Sequence, residues 1–92
     1  MNATTDPVVD AARDEIAALD IRLIAIVNQR IRKVAELRRY KAENGIAFVD
    51  REREAWLADY LKRVNAGPLS GRGVDELMSF VLALVKREVA RG

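Results

Sequence analysis

The stretch "LIAIVNQRIRKVAELRRYK", Leu23 to Lys41, decides how the chain is read. Counted from Leu23, one helical face carries Ile26 or Val27, then Arg30, Val34, Leu37 and Lys41. Steps of three and four mark one side of an α-helix. An arginine and a lysine therefore stand in an otherwise apolar stripe. Burying charge is costly unless it is paired or meets a ligand. What this face encloses is the question the two cations set.

Outward from this stretch the helical period continues. Upstream, Val9, Ala12, Ile16, Leu19, Leu23 and Val27 recur at steps of three or four, and Val34 and Leu37 extend the row. Asp6-Pro7 is a good helix start, with Asp as N-cap and Pro in the first turn. Nothing breaks the pattern before Asn44-Gly45, a left-handed C-terminal cap. The spacing predicts a helix over residues 7 to 43, about 55 Å long at 1.5 Å per residue.

A second helix is predicted from Asp50, an N-cap following the extended "IAFV". It carries Trp56, Leu57, Tyr60, Leu61 and Val64 inward and ends at Asn65-Ala66-Gly67-Pro68. A third follows "LSGRG", with Val74, Leu77, Met78, Val81, Leu82, Val85 and Val89 at helical spacing. No stretch shows strand alternation bounded by turns. The fold class is all-α: one domain over residues 1–92, with residues 1–6 and 91–92 expected to be flexible. A compact globule of this size has a radius of gyration of about 12 Å. A helix of about 55 Å overhangs it, so an intertwined helical-bundle homodimer is expected, each chain covering the other's overhang.

Half of the 92 residues are apolar and 33% are charged, which excludes a disordered chain. No run of apolar residues is long enough to span a membrane, and "MNATTDPVVD" lacks the pattern of a signal peptide. Without cysteine there is no disulfide framework, and a cytoplasmic location is expected. The formal charge of +2 is too small to indicate nucleic-acid binding, although Arg30, Arg32, Lys33, Arg38, Arg39 and Lys41 cluster. The absence of histidine and cysteine removes the usual general base, the thiol nucleophile and the common zinc ligands. Any catalysis rests on Arg, Lys, Asp, Glu and backbone groups, which favours electrostatic positioning.

Arg30 and Lys41 point with the stripe, and Arg13 lies nearer its edge. Asp50 and Glu54 are one turn apart on the second helix, with Arg53 beside them. Taken singly, each is most simply a snorkelling or ion-paired charge at the rim of a bundle. Together they suggest a polar pocket for a small, multiply anionic ligand, with the carboxylates gripping a hydroxyl.

The segments "ARDEIAALDIRLIAIVNQR" and "VDRERE", with Lys41 between them, resemble the all-α class of chorismate mutase. The shared pattern is Arg-x-x-Ile-x-x-x-Asp, a later Arg, a Lys near the helix end, and an Asp followed by Arg-Glu. Here Arg13, Arg30, Lys41 and Asp50 are separated by 17, 11 and 9 positions, followed by Arg53-Glu54. The resemblance covers roughly residues 10 to 90 and implies an intertwined dimer of three-helix subunits. It implies a Claisen rearrangement of chorismate to prephenate, which needs no base, nucleophile, cofactor or metal. Arg30 and Arg13 of the partner subunit would bind the two carboxylates. Lys41 would donate to the ether oxygen, and Asp50 and Glu54 would orient the ring hydroxyl, with Arg53 in support. Arginine suits the carboxylate roles because its planar fork donates two parallel hydrogen bonds.

The third helix departs from the family's pattern of a Ser and, four residues on, a Gln or Glu. One register places Val85 and Val89 at these positions, another Arg87 and Arg91, with Glu88 between. Val85, Arg87, Glu88 and Val89 are all retained as candidates. This departure keeps two related activities in view on the same fold, 4-amino-4-deoxychorismate mutase and isochorismate pyruvate lyase. An activating partner enzyme is also left open. From another class, a non-catalytic helical dimer could bind nucleic acid through the basic segment. That reading requires outward-facing cations and salt-sensitive binding, whereas Arg30 and Lys41 sit on the apolar stripe.

Overall fold

The structure, a computed structural model, describes residues 6–92 and consists of three helices. They are α1 (Pro7–Glu43), α2 (Arg51–Val64) and α3 (Gly71–Arg91). The first helix has the predicted bounds, and its caps explain why. Asp6 accepts from the backbone N–H groups of Val8 at 2.8 Å and Val9 at 3.2 Å, satisfying two donors that the first turn leaves open. At the other end Gly45 takes φ +65°, and the Ile46 N–H reaches back to the Lys41 carbonyl at 2.9 Å. This six-to-one bond is that of a Schellman ending, which needs a residue tolerant of the left-handed region. Gly45→Ala should therefore lower unfolding stability by about 1 kcal/mol in urea titration. An unchanged midpoint would mean that the turn relaxes to another geometry.

Helix α2 starts as expected on Asp50, whose side chain accepts from Arg53 N–H at 3.0 Å. Helix α3 starts earlier than its apolar pattern suggests. Ser70 is the N-cap, accepting from Gly73 N–H at 2.9 Å, so the helix begins inside "LSGRG". A hydroxyl able to cap outweighs the low helix propensity of two glycines in the first turn. Between α2 and α3, Asn65 accepts from Gly67 N–H at 3.1 Å and donates to the Leu69 carbonyl at 2.6 Å. Gly92 donates to the Glu88 carbonyl at 3.3 Å, and residues 1–5 lie outside the described residues.

Helix α3 packs on both α1 and α2, whereas α1 and α2 do not pack on each other. The result is elongated, 58 × 30 × 16 Å with a radius of gyration of 17.4 Å. That exceeds the ~12 Å of a compact chain of this length. Among the described residues only Val74, Val85 and Val89 are buried, all on α3. The stripe of α1 from Val9 through Ile16, Leu19 and Leu23 is exposed. The sequence places Trp56, Tyr60 and Val64 inward, but in the single chain they are exposed, Trp56 by 45% and Tyr60 by 41%. With only α3 beside it, α2 covers little more than Leu57, Ala58 and Leu61. Among the described residues, no helix is long and apolar enough to cross a membrane.

Candidate active site

The gap that α1 and α2 leave between them is a cleft of about 230 Å3, floored by α3. Helix α1 lines it with Arg30, Val34, Leu37 and Lys41, at steps of four, three and four. The connection adds Phe48 and Asp50, α2 adds Arg53, Glu54 and Leu57, and α3 adds Leu82, Val85 and Lys86. Four cations and two carboxylates give this lining a formal charge of +2.

Arg30 and Lys41 are half-buried, and among the described residues neither forms an ion pair with a carboxylate. The apolar stripe holds both side chains in the cleft wall. Lys41 Nζ donates to the Phe48 carbonyl at 3.2 Å, which ties the connection to the end of α1. On this connection Phe48 also lies beneath the Arg38 guanidinium, 5.4 Å from the ring centre. One ammonium proton of Lys41 is thus committed, and a lysine has three.

Asp50 commits Oδ1 to its capping bond, so its part in the site is to start α2 with one oxygen left to accept. Arg53 stacks over Trp56 at 4.3 Å from the ring centre, and Trp56 stacks on Tyr60 at 5.0 Å and 8°. Such stacking fixes the plane of a guanidinium without using its hydrogen-bond donors. Glu54 stands in the first turn of α2, where the helix dipole favours an anion. Its Oε2 lies 2.6 Å from Lys86 Nζ.

The candidate residues therefore divide. Arg30, Lys41, Asp50, Arg53, Glu54 and Val85 meet at the cleft. Arg87, Glu88 and Val89 do not line it: Glu88 pairs with Arg87 at 3.6 Å and Arg91 at 3.3 Å, and Val89 is buried. Arg13 is exposed and stands 17 positions before Arg30, about 25 Å along the helix axis. It cannot reach the cleft of its own chain. Lys86 and Leu82 do line the cleft, and the sequence reading missed both. Their four-residue spacing is a third register for the α3 pair, and the demand of Glu54 for a cation was the signal that would have selected it. Outside the cleft, Lys62 joins α2 to Asp75 of α3 at 3.1 Å. That hydrogen bond and charge raise the Lys62 ammonium above its ordinary value.

Three helices enclosing a cation-rich cleft define a small all-helical domain with an electropositive site. The family model for chorismate mutase type II matches residues 12–89, and the chain belongs to this family. It is 36% identical over 84 residues to the bifunctional chorismate mutase/prephenate dehydratase of Stutzerimonas stutzeri. It is 32% identical over 83 residues to the protein of the same description from Pseudomonas aeruginosa. Each match takes in 80% of this chain and 23% of the relative, so the chain spans under a quarter of their length. Among solved structures it is similar to two forms of chorismate mutase from Thermus thermophilus. Form I gives a TM-score of 0.81 at 25% identity, covering 84% of this chain and 96% of the other. Form II gives 0.84 at 24% identity, covering 90% and 94%.

Proposed function

We propose that the chain is a chorismate mutase, converting chorismate to prephenate in the cleft between α1 and α2. The observation that carries this reading is the convergence of Arg30 and Lys41, neither ion-paired to a carboxylate, on a cleft of net charge +2. A dianion of modest size would neutralise it. The rearrangement breaks the ether C–O bond and forms a C–C bond within one molecule, so no proton, electron or cofactor is exchanged. The protein's work is to hold the dianion in its folded conformer and to stabilise charge growing on the ether oxygen. Arg30 clamps one carboxylate, and Lys41 donates to the ether oxygen through a proton not used by Phe48. Glu54 accepts from the ring hydroxyl, and Asp50 and Arg53 shape the rim. Prephenate leads to phenylalanine and tyrosine, which gives the reaction its place in aromatic amino-acid synthesis.

The exposed stripe of α1 and the exposed Trp56, Tyr60 and Val64 support a homodimer in which the long helices pair. In that assembly Arg13 of the partner subunit completes the second carboxylate clamp. Light scattering at micromolar concentration should give about twice the chain mass of 10.3 kDa, and the unfolding midpoint should rise with protein concentration. A stable folded monomer would sink both the assembly and the cross-chain role of Arg13.

The activity is tested by incubating the purified protein with chorismate. Chorismate absorbance should fall as prephenate appears by NMR, with no metal or cofactor added. Release of pyruvate from isochorismate, with chorismate left intact, would replace this reading.

A further inference from the structure

The corner of the cleft between α2 and α3 holds a residue with no role so far, Lys86, paired with Glu54. Lys86 Nζ lies 2.6 Å from Glu54 Oε2, and the two side chains are 37% and 29% exposed. Neither has another ion pair or side-chain hydrogen bond among the described residues, so Glu54 Oε1 remains as acceptor and two Lys86 protons remain as donors. Glu54 stands in the first turn of α2, beside the positive end of the helix dipole. The corner is locally neutral and offers one group of each kind.

We propose that the Lys86–Glu54 pair is a charge filter for the ring substituent of the substrate. It accepts a neutral hydroxyl and rejects an ammonium. This rests on the reading of the cleft as a chorismate site, and it narrows the substrate to the hydroxyl-bearing dianion. A hydroxyl both donates and accepts, so it can donate to Glu54 and accept from Lys86 without disturbing their attraction. An ammonium donates only. It would compete with Lys86 for the same carboxylate and bring two like charges within a few ångströms in a partly shielded site. A neutral side chain at position 86 would leave Glu54 as an unmatched anion, which favours the ammonium instead. The amine counterpart of chorismate, 4-amino-4-deoxychorismate, is protonated at neutral pH and should be a poor substrate.

The test compares kcat/KM for these two compounds on the parent dimer, Lys86→Met, Lys86→Gln and Lys86→Arg, with folding checked by circular dichroism. The parent should favour chorismate by at least a hundredfold. Lys86→Met or Lys86→Gln should narrow that ratio at least tenfold, with an absolute gain on the amine, while Lys86→Arg should keep the parental ratio. In the parent, raising the pH until the substrate amine is neutral should also narrow the ratio, a response that loss of packing alone would not produce. A ratio unchanged in both neutral variants would overturn the filter, as would a parent that uses the two compounds equally. A parent that turns over neither compound would overturn the chorismate reading, and the filter with it.

Discussion

Arg30→Ala should lower kcat/KM for chorismate at least a hundredfold, about 3 kcal/mol of transition-state stabilisation. The arginine is half-buried in the cleft wall and has no carboxylate partner among the described residues, so its removal breaks no ion pair of the fold. Its fork is available for a ligand carboxylate, where a charge-assisted two-bond contact forms. Arg13→Ala should lose a similar factor although Arg13 lies about 25 Å along the helix from Arg30. The decisive measurement is to mix the two variants. Each mixed dimer has one site with both arginines and one with neither. Half of randomly exchanged dimers are mixed, so activity should return to about a quarter of the parental value. If mass spectrometry shows exchange and activity stays absent, the two arginines do not serve one composite site.

Lys41→Met should abolish most turnover, on the order of 10² to 10³ in kcat, while changing stability by no more than about 1 kcal/mol. Two structural effects oppose each other. Methionine loses the hydrogen bond to the Phe48 carbonyl, which water can replace at this open cleft. It also removes one positive charge from a wall where Arg30 stands on the same stripe without a counter-ion. Sulfate should stabilise the parent more than the variant in thermal unfolding, because the anion would bind the Arg30 and Lys41 cluster of the folded parent. A variant that is clearly less stable yet keeps its turnover would make Lys41 a scaffold residue tied to Phe48.

The long helix and the two cations it brings to the cleft were legible because several signals agreed. The apolar period, Asp6-Pro7 and Asn44-Gly45 independently bound α1, and the same period puts Arg30 and Lys41 on one line with Val34 and Leu37. Helix α3 was harder. It touches α1 on one side and α2 on the other, so apolar residues occupy more than one stripe and the period does not say which faces the cleft. Lys86 follows the buried Val85 directly and reads as solvent-facing until Glu54 is placed opposite it. Glu88 was a candidate because it lies between the two registers the sequence allows, whereas its partners Arg87 and Arg91 lie on its own helix. Trp56 and Tyr60 expose a different limit. An amphipathic pattern records that a face is apolar, and it reads alike whether the cover is the same chain or another copy.

The three buried valines of α3 have a consequence for how much active protein a cell can keep. So small a core leaves a lone chain open along α1, and in the proposed dimer this surface closes only after two chains meet. Maturation is then second order in nascent chain, while cleavage by cellular proteases is first order. The two losses scale differently with synthesis rate. Halving expression should more than halve the functional pool, and below a threshold most chains would be degraded before pairing. A gene for such a protein tolerates weak transcription poorly, even when every chain it encodes is catalytically sound.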